Sequence, residues 1–265
     1  MGEFALPLLF ALAIWWSATA VVMFLDGLPR STYRWTLLGT TALQLVALYG
    51  LWATRDDSSV AGAYVAFACA VLTWGWQEVF FLTGAITGTR RQACAPHCSG
   101  WRHFRHGVQA IKYHELSLLA AGALLTVLCW NAPYRIGLWT YLVLWGMRQS
   151  AKLNLFLGVR NLGVEFLPQH LAYLQSFFRR RVMNALFPWS MLAGTALVAL
   201  LARRTLHAAS GDFETAGFAL LASIALLGVL EHCLLMVPVP TVALWRWSLR
   251  SHRRSAEAAA ASRGG

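Results

Sequence analysis

RQSAKLNLFLGVRNLGVEFLPQHLAYLQSFFRRR, Arg148 to Arg181, is the stretch whose reading decides the fold. It opens inside an apolar run that starts near Pro133, and it carries Arg148, Lys152 and Asn154 into the end of that run. Beyond it, Leu167, Leu171, Leu174 and Phe178 recur at i, i+4, i+7 and i+11, one face of a 3.6-residue helix. Gln169, His170, Gln175, Arg179, Arg180 and Arg181 fall elsewhere. The pattern predicts one amphipathic helix over 168–181, lying in the plane of a membrane interface. Pro168 suits its first turn, and the arginine triplet suits both its C-terminal dipole and anionic lipid headgroups.

The rest of the chain agrees that the bilayer is its solvent. Of 265 residues, 58% are hydrophobic and only 12% charged, where a soluble domain carries about 25% charged residues. Twenty-two Lys and Arg against 11 Asp and Glu give a net charge of +11, which in a membrane protein reports loop topology. No nucleic-acid motif accompanies it, and nucleic acid is not an expected partner. No Lys or Arg precedes Arg30, and the run Phe4 to Leu25 is long enough to span, so it reads as a retained helix and not a cleaved signal. The five cysteines are odd in number, with Cys69, Cys129 and Cys233 in apolar runs and Cys94 and Cys98 in one loop, which argues against a disulfide framework.

Apolar runs fall at Phe4 to Leu25, Trp35 to Thr54, Ser58 to Leu82, Val108 to Asn131, Pro133 to Leu157, Val182 to Ala202 and Thr215 to Val237. Each approaches the ~20 residues that cross a ~30 Å hydrocarbon core. The expected fold is therefore all-α: a polytopic membrane bundle of about seven transmembrane helices plus the interfacial one, a single domain over 1–265 with a disordered tail at about 252–265. Alternate connections hold 18 and 4 Lys or Arg. The rule that basic loops stay inside places the N-terminus outside and the C-terminus in the cytoplasm.

That orientation puts Glu78, His114, Glu115, Arg148, Lys152, Glu231 and His232 in one cytoplasmic third of the membrane. Ionised groups there are costly unless paired, solvated or metal-bound, so the layer is a functional-site hypothesis. Glu78, His114, Glu115, Glu231 and His232 are the residue types of a carboxylate-rich Fe, Mn or Zn site, with Glu165 and His170 as weaker candidates to close it from the cytoplasm. One neutral imidazole nitrogen also suffices to ligate the magnesium of a chlorin, for which His114 and His232 are the candidates, though the glutamate beside each counts against that use. Ion-paired packing would look the same in sequence: Lys112 precedes Glu115 by three, Arg148 or Lys152 could neutralise Glu78 or Glu231, and Asn154 belongs to that network.

The loop TGTRRQACAPHCSGWRHFRHG (Thr87 to Gly107) offers Cys94, His97, Cys98, His103 and His106, but C-x3-C matches no trusted tetrahedral zinc spacing. Its arginines, Arg90, Arg91, Arg102 and Arg105, favour contact with anionic lipid, as do Arg179, Arg180 and Arg181, with Trp101 and Phe104 as interface anchors.

Five strings carry a resemblance: LDGLPRSTYRW (Leu25 to Trp35), EVFFLTGAITGTRR (Glu78 to Arg91), KYHEL (Lys112 to Leu116), LVLWGMRQSAKLNLFLGVRNLGVEFLPQHLAYLQSFF (Leu142 to Phe178) and LEHCLL (Leu230 to Leu235). Together they resemble the photosynthetic complex assembly protein PuhE family of purple phototrophic bacteria, over nearly the whole chain, with CAPHC as a departure. The resemblance implies an assembly factor for the photosynthetic reaction centre and light-harvesting complex, or for their bacteriochlorophyll supply. Its partners would be photosynthetic subunits, pigment and membrane lipid, and no catalytic residue is carried over. The alternative from the residues alone is a di-iron-type oxidase or hydroxylase acting on a tetrapyrrole, quinone or carotenoid.

Overall fold

Each apolar run becomes a helix. The computed structural model describes residues 2–208 and 212–237. Among these, seven α-helices follow in order: α1 (Gly2–Asp26), α2 (Tyr33–Ala53), α3 (Val60–Leu82), α4 (Gly100–Leu128), α5 (Ile136–Leu157), α6 (Phe187–Leu206) and α7 (Asp212–Leu234). No strand occurs among the described residues, only an isolated bridge between Val159 and Arg180. The basic stretch after Pro240 and the expected tail at 252–265 lie outside them.

Five of the seven, α1 to α4 and α7, are long and apolar enough to cross a membrane, as a multi-pass membrane protein requires. α5 and α6, of 22 and 20 residues, match the length of a ~30 Å core at 1.5 Å per residue. Their hydropathy is lowered by Arg148, Gln149, Lys152 and Asn154 near the end of α5, and by Arg203 and Arg204 in the last turn of α6. The helix ends have local causes. The Ser59 hydroxyl accepts from Gly62 N at 3.0 Å and caps α3. The Asn184 carbonyl accepts from Leu186 N and Phe187 N at 2.9 and 3.1 Å, satisfying two orphan donors where α6 begins. Arg203 and Arg204 close α6 and Asp212 and Glu214 open α7, each complementing its helix dipole.

α3 and α7 form the interior. Of the apolar stretch of α7, 61% is buried inside the protein, and 50% of that of α3, against 11% and 17% for the first two helices. Phe67 of α3 with Leu220 and Ile224 of α7 centre one apolar cluster, and Leu51, Ala70, Leu118, Leu125 and Tyr141 centre a second. Without water to drive association, small residues allow close packing: Gly194 of α6 and Gly228 of α7 flank the side chain of Met147 on α5.

The segment after α5 corrects the expected interfacial helix. Gln169–Phe177 is a 3-10 helix, and Phe178 beyond it is extended. Its buried residues are Pro168, Leu171, Leu174 and Phe177, spaced by three, and not the i, i+4, i+7, i+11 set. A helix of three residues per turn stacks i and i+3, so this stripe faces one way. It packs on Phe81 of α3 and Ala110 of α4. Residues 178–181 then run back along the end of α5, where Arg179 N donates to Leu155 O at 3.1 Å and Arg181 N to Val159 O at 3.1 Å.

The α1–α2, α3–α4 and α5–α6 connections gather at one end, with the close of α7. There the His170 Nε2 donates to Leu82 O at 2.9 Å and the His170 ring lies 6.2 Å from that of Tyr33. Cys94 N donates to the Ser176 hydroxyl at 2.9 Å, and Asn161 Nδ2 to Leu234 O at 2.8 Å. At the other end the rings of Tyr134 and Phe213 meet at 4.4 Å.

Candidate functional site

The last turns of α5 organise the polar layer. A helix places i and i+3 on one side and i+1 about 100° away, so consecutive residues of α5 reach different neighbours. Arg148 donates to Glu78 of α3 at 3.2 Å. Gln149 and Lys152, three apart, both donate to Glu115 of α4, at 2.6 and 2.7 Å on its two oxygens. Ser150 lies 2.9 Å from Nε2 of His232 on α7. Asn154 donates to the Ser190 hydroxyl of α6 at 2.9 Å, and its carbonyl accepts from Asn184 at 3.0 Å. One helix thus binds four others through side chains.

Glu231 has a different partner: it accepts from the indole of Trp15 on α1 at 2.9 Å. His232 has both nitrogens engaged. The carbonyl of Gly228, 2.8 Å from Nδ1, can only accept, so Nδ1 carries a proton, while Nε2 meets the Ser150 hydroxyl, which can donate or accept. His114 is buried with its ring 4.4 Å from that of Phe81, and its Nε2 has no protein partner. Above it the loop meets α4 directly: His114 N donates to Thr87 O at 2.9 Å and Arg90 N to Gln109 O at 3.2 Å.

The acidic residues are therefore distributed over separate protein partners. Glu78, His114, Glu115, Glu231 and His232 do not bring three ligand atoms within 4.8 Å of one another. Glu165 is exposed on a 3-10 turn, Val164–Phe166, and His170 bonds the end of α3. Lys112 is exposed, and the ion pair of Glu115 is with Lys152. The Glu115 and Lys152 side chains are 26% and 17% exposed. A pair so largely withdrawn from solvent is costly to break by removing one member. Arg91, Arg102, Arg105, Arg180 and Arg181 are exposed, while Arg90 bonds Ala93 O and Arg179 lies over the Phe156 ring.

Sequence reasoning missed Trp15, Gln149, Ser150 and Asn184. Gln149 had a signal, its i, i+3 relation to Lys152; the others have none, because each acts on a residue 30 or more positions away. It also set aside the loop group that geometry does assemble. Among the described residues, Cys94, Cys98 and His106 place one ligand atom each within 4.8 Å of one another. A hydrogen bond from Cys94, and then Arg102, holds the Cys98 thiol below its usual range, while burial pushes that of Cys94 up.

A family described as protein of unknown function (DUF3623) matches residues 1–256. A Rhodobacter capsulatus protein described as "Uncharacterized 30.4 kDa protein in puhA 5'region" is 38% identical over 251 residues, covering 93% of this chain and 91% of that one. No solved structure matches. With nearly its whole length aligned on both counts, the chain belongs to the DUF3623 family.

Proposed function

We propose that this protein is a membrane-embedded assembly factor of a photosynthetic bacterium, serving the reaction centre and light-harvesting complex or their bacteriochlorophyll supply. The observation that carries this reading is the whole-chain likeness to a protein named for the puhA 5' region. The likeness of the five strings to the PuhE family points the same way. The geometry supports action through helix surfaces. Much of the polar layer is taken up by the protein's own donors and acceptors, with Nε2 of His114 left over, and two clefts among the described residues open at the bundle ends. One is lined by Ser58, Tyr134 and Glu214 and the other by Thr89, Arg91 and Gln109. The outer faces of α2 and α4 present Trp35, Leu38, Leu45, Tyr49, Leu116 and Val127 to a bilayer or a client helix.

In this reading all seven helices span the inner membrane. The gathered, arginine-rich end faces the cytoplasm, where Arg91, Arg102, Arg105, Arg180 and Arg181 meet anionic lipid. Alkaline phosphatase fused after Asp57 is expected to be active and after Gln92 inactive; the reverse pattern would refute the orientation. Affinity capture from cells assembling their photosystem is expected to recover a reaction-centre, antenna or pigment-synthesis component. Repeated capture with none of these, after mild cross-linking, would sink the assembly reading.

A further inference from the structure

The loop before α4 brings together two thiols and one imidazole that the polar layer does not use. Cys94 Sγ and Cys98 Sγ each lie 3.5 Å from Nδ1 of His106. One ring nitrogen has a single lone pair or a single proton, so it cannot form two good hydrogen bonds along both directions at once. A central ion satisfies all three atoms. With Zn–S of about 2.3 Å and Zn–N of about 2.0–2.1 Å, a tetrahedral site has an S···N edge of about 3.6 Å, and the observed 3.5 Å separations match it.

The backbone is shaped to hold this arrangement. His97 has φ 64°, a left-handed conformation unusual outside glycine, and Cys98 N donates to Ala95 O at 3.1 Å. The chain reverses there, returning Cys98 to Cys94. Cys94 is fixed from its other side, its N–H held by Ser176 and its side chain against the Leu171 and Leu174 cluster. His106 is fixed by the first turns of α4. All three are partly exposed, so an ion has a path in from solution.

We propose that Cys94, Cys98 and His106 form a site for a thiophilic divalent ion of the zinc class, with a fourth position open to water or an outside ligand. Two thiolates and a neutral imidazole balance the charge of such an ion, and thiolate donors select it over the hard cations that carboxylates take. Binding displaces the two thiol protons. The ion would tie the loop to α4 and, through Ser176, to the 3-10 segment. Three protein ligands leave it a vacant position, the pattern of exchangeable and not of closed structural sites.

The test uses full-length protein without a histidine tag, reduced, stripped of metal and held in detergent. Co2+ is expected to give thiolate-to-metal absorption in the near ultraviolet, saturating at one equivalent and abolished by Zn2+. Cys94→Ser, Cys98→Ser and His106→Ala should each weaken binding by more than the roughly 10- to 100-fold that loss of an outer-shell partner costs, while Cys233→Ser leaves it unchanged. A second measurement needs no variant: Zn2+ should protect Cys94 and Cys98 from alkylation, mapped by peptide mass, and not Cys69 or Cys233. No thiolate band at one equivalent, an unchanged titration in Cys98→Ser, or protection absent from these two cysteines would overturn the site.

Discussion

Lys152→Met is expected to destabilise the bundle by about 2–3 kcal/mol, at or just under the lower end of the cost of orphaning one member of a fully buried ion pair, because this pair is partly exposed. Glu115 would keep Gln149 at 2.6 Å but lose the cation at 2.7 Å, on a carboxylate only 26% exposed. The informative variant is the double one. In Glu115→Gln with Lys152→Met, no charge is stranded and an amide can still meet Gln149, so stability should return to within about 1 kcal/mol of the parent. Thermal unfolding in one detergent, followed by tryptophan fluorescence, measures both. Glu115→Gln alone, as a third variant, separates packing from metal chemistry at Glu115: a carboxylate needed as a ligand would leave the double variant as impaired as Glu115→Gln alone. Equal loss in single and double variants would refute the ion-pair account.

Gly88→Ala is expected to have a comparable or larger effect, for a steric reason. A Cβ there would stand 2.1 Å from Gln109 O and 2.5 Å from Ala110 C, both backbone atoms of α4. Neither side chain rotation nor a small shift of a flexible group relieves that contact, so the loop must lift. Lifting breaks the bonds from His114 N to Thr87 O and from Arg90 N to Gln109 O. Overpacking costs typically 1–3 kcal/mol and occasionally more, and with the buried His114–Thr87 backbone bond and the Arg90–Gln109 bond lost as well the expected cost is about 3 kcal/mol or above. Gly39→Ala is the control, since nothing lies within 4 Å of its Cβ, and it should leave the melting midpoint nearly unchanged. A Gly88→Ala protein as stable as Gly39→Ala would show that the loop does not rest on α4 as described.

The two variants act on the two parts of the molecule that the sequence rendered differently. Arg148, Lys152 and Asn154 stand out in sequence because charge and amide are rare in an apolar run, and the structure pairs Arg148 with Glu78 and Lys152 with Glu115, while Asn154 meets Ser190 and Asn184. Which cation meets which carboxylate was not legible. That choice depends on the rotation of α5 about its axis, which packing against the other helices sets, Met147 lying against Gly194 and Gly228 among those contacts. Residues 168–181 illustrate the opposite failure. Leucines at 167, 171 and 174 fit an α period, yet Leu171, Leu174 and Phe177 fit a 3-10 period equally well, and only burial against Phe81 and Ala110 selects the latter.

What the sequence determined by itself is local in cause. Hydropathy over about 20 residues needs no partner to be felt, so the seven helical runs and their multi-pass membrane character follow from composition and spacing alone. What tertiary structure decided is relational. The pairing of Lys152 with Glu115, the capture of Glu231 by Trp15 and the convergence of Cys94, Cys98 and His106 each join residues whose neighbours in sequence do not announce them. Such contacts arise from helix register and loop path, which the packing of the whole bundle fixes and no single segment encodes.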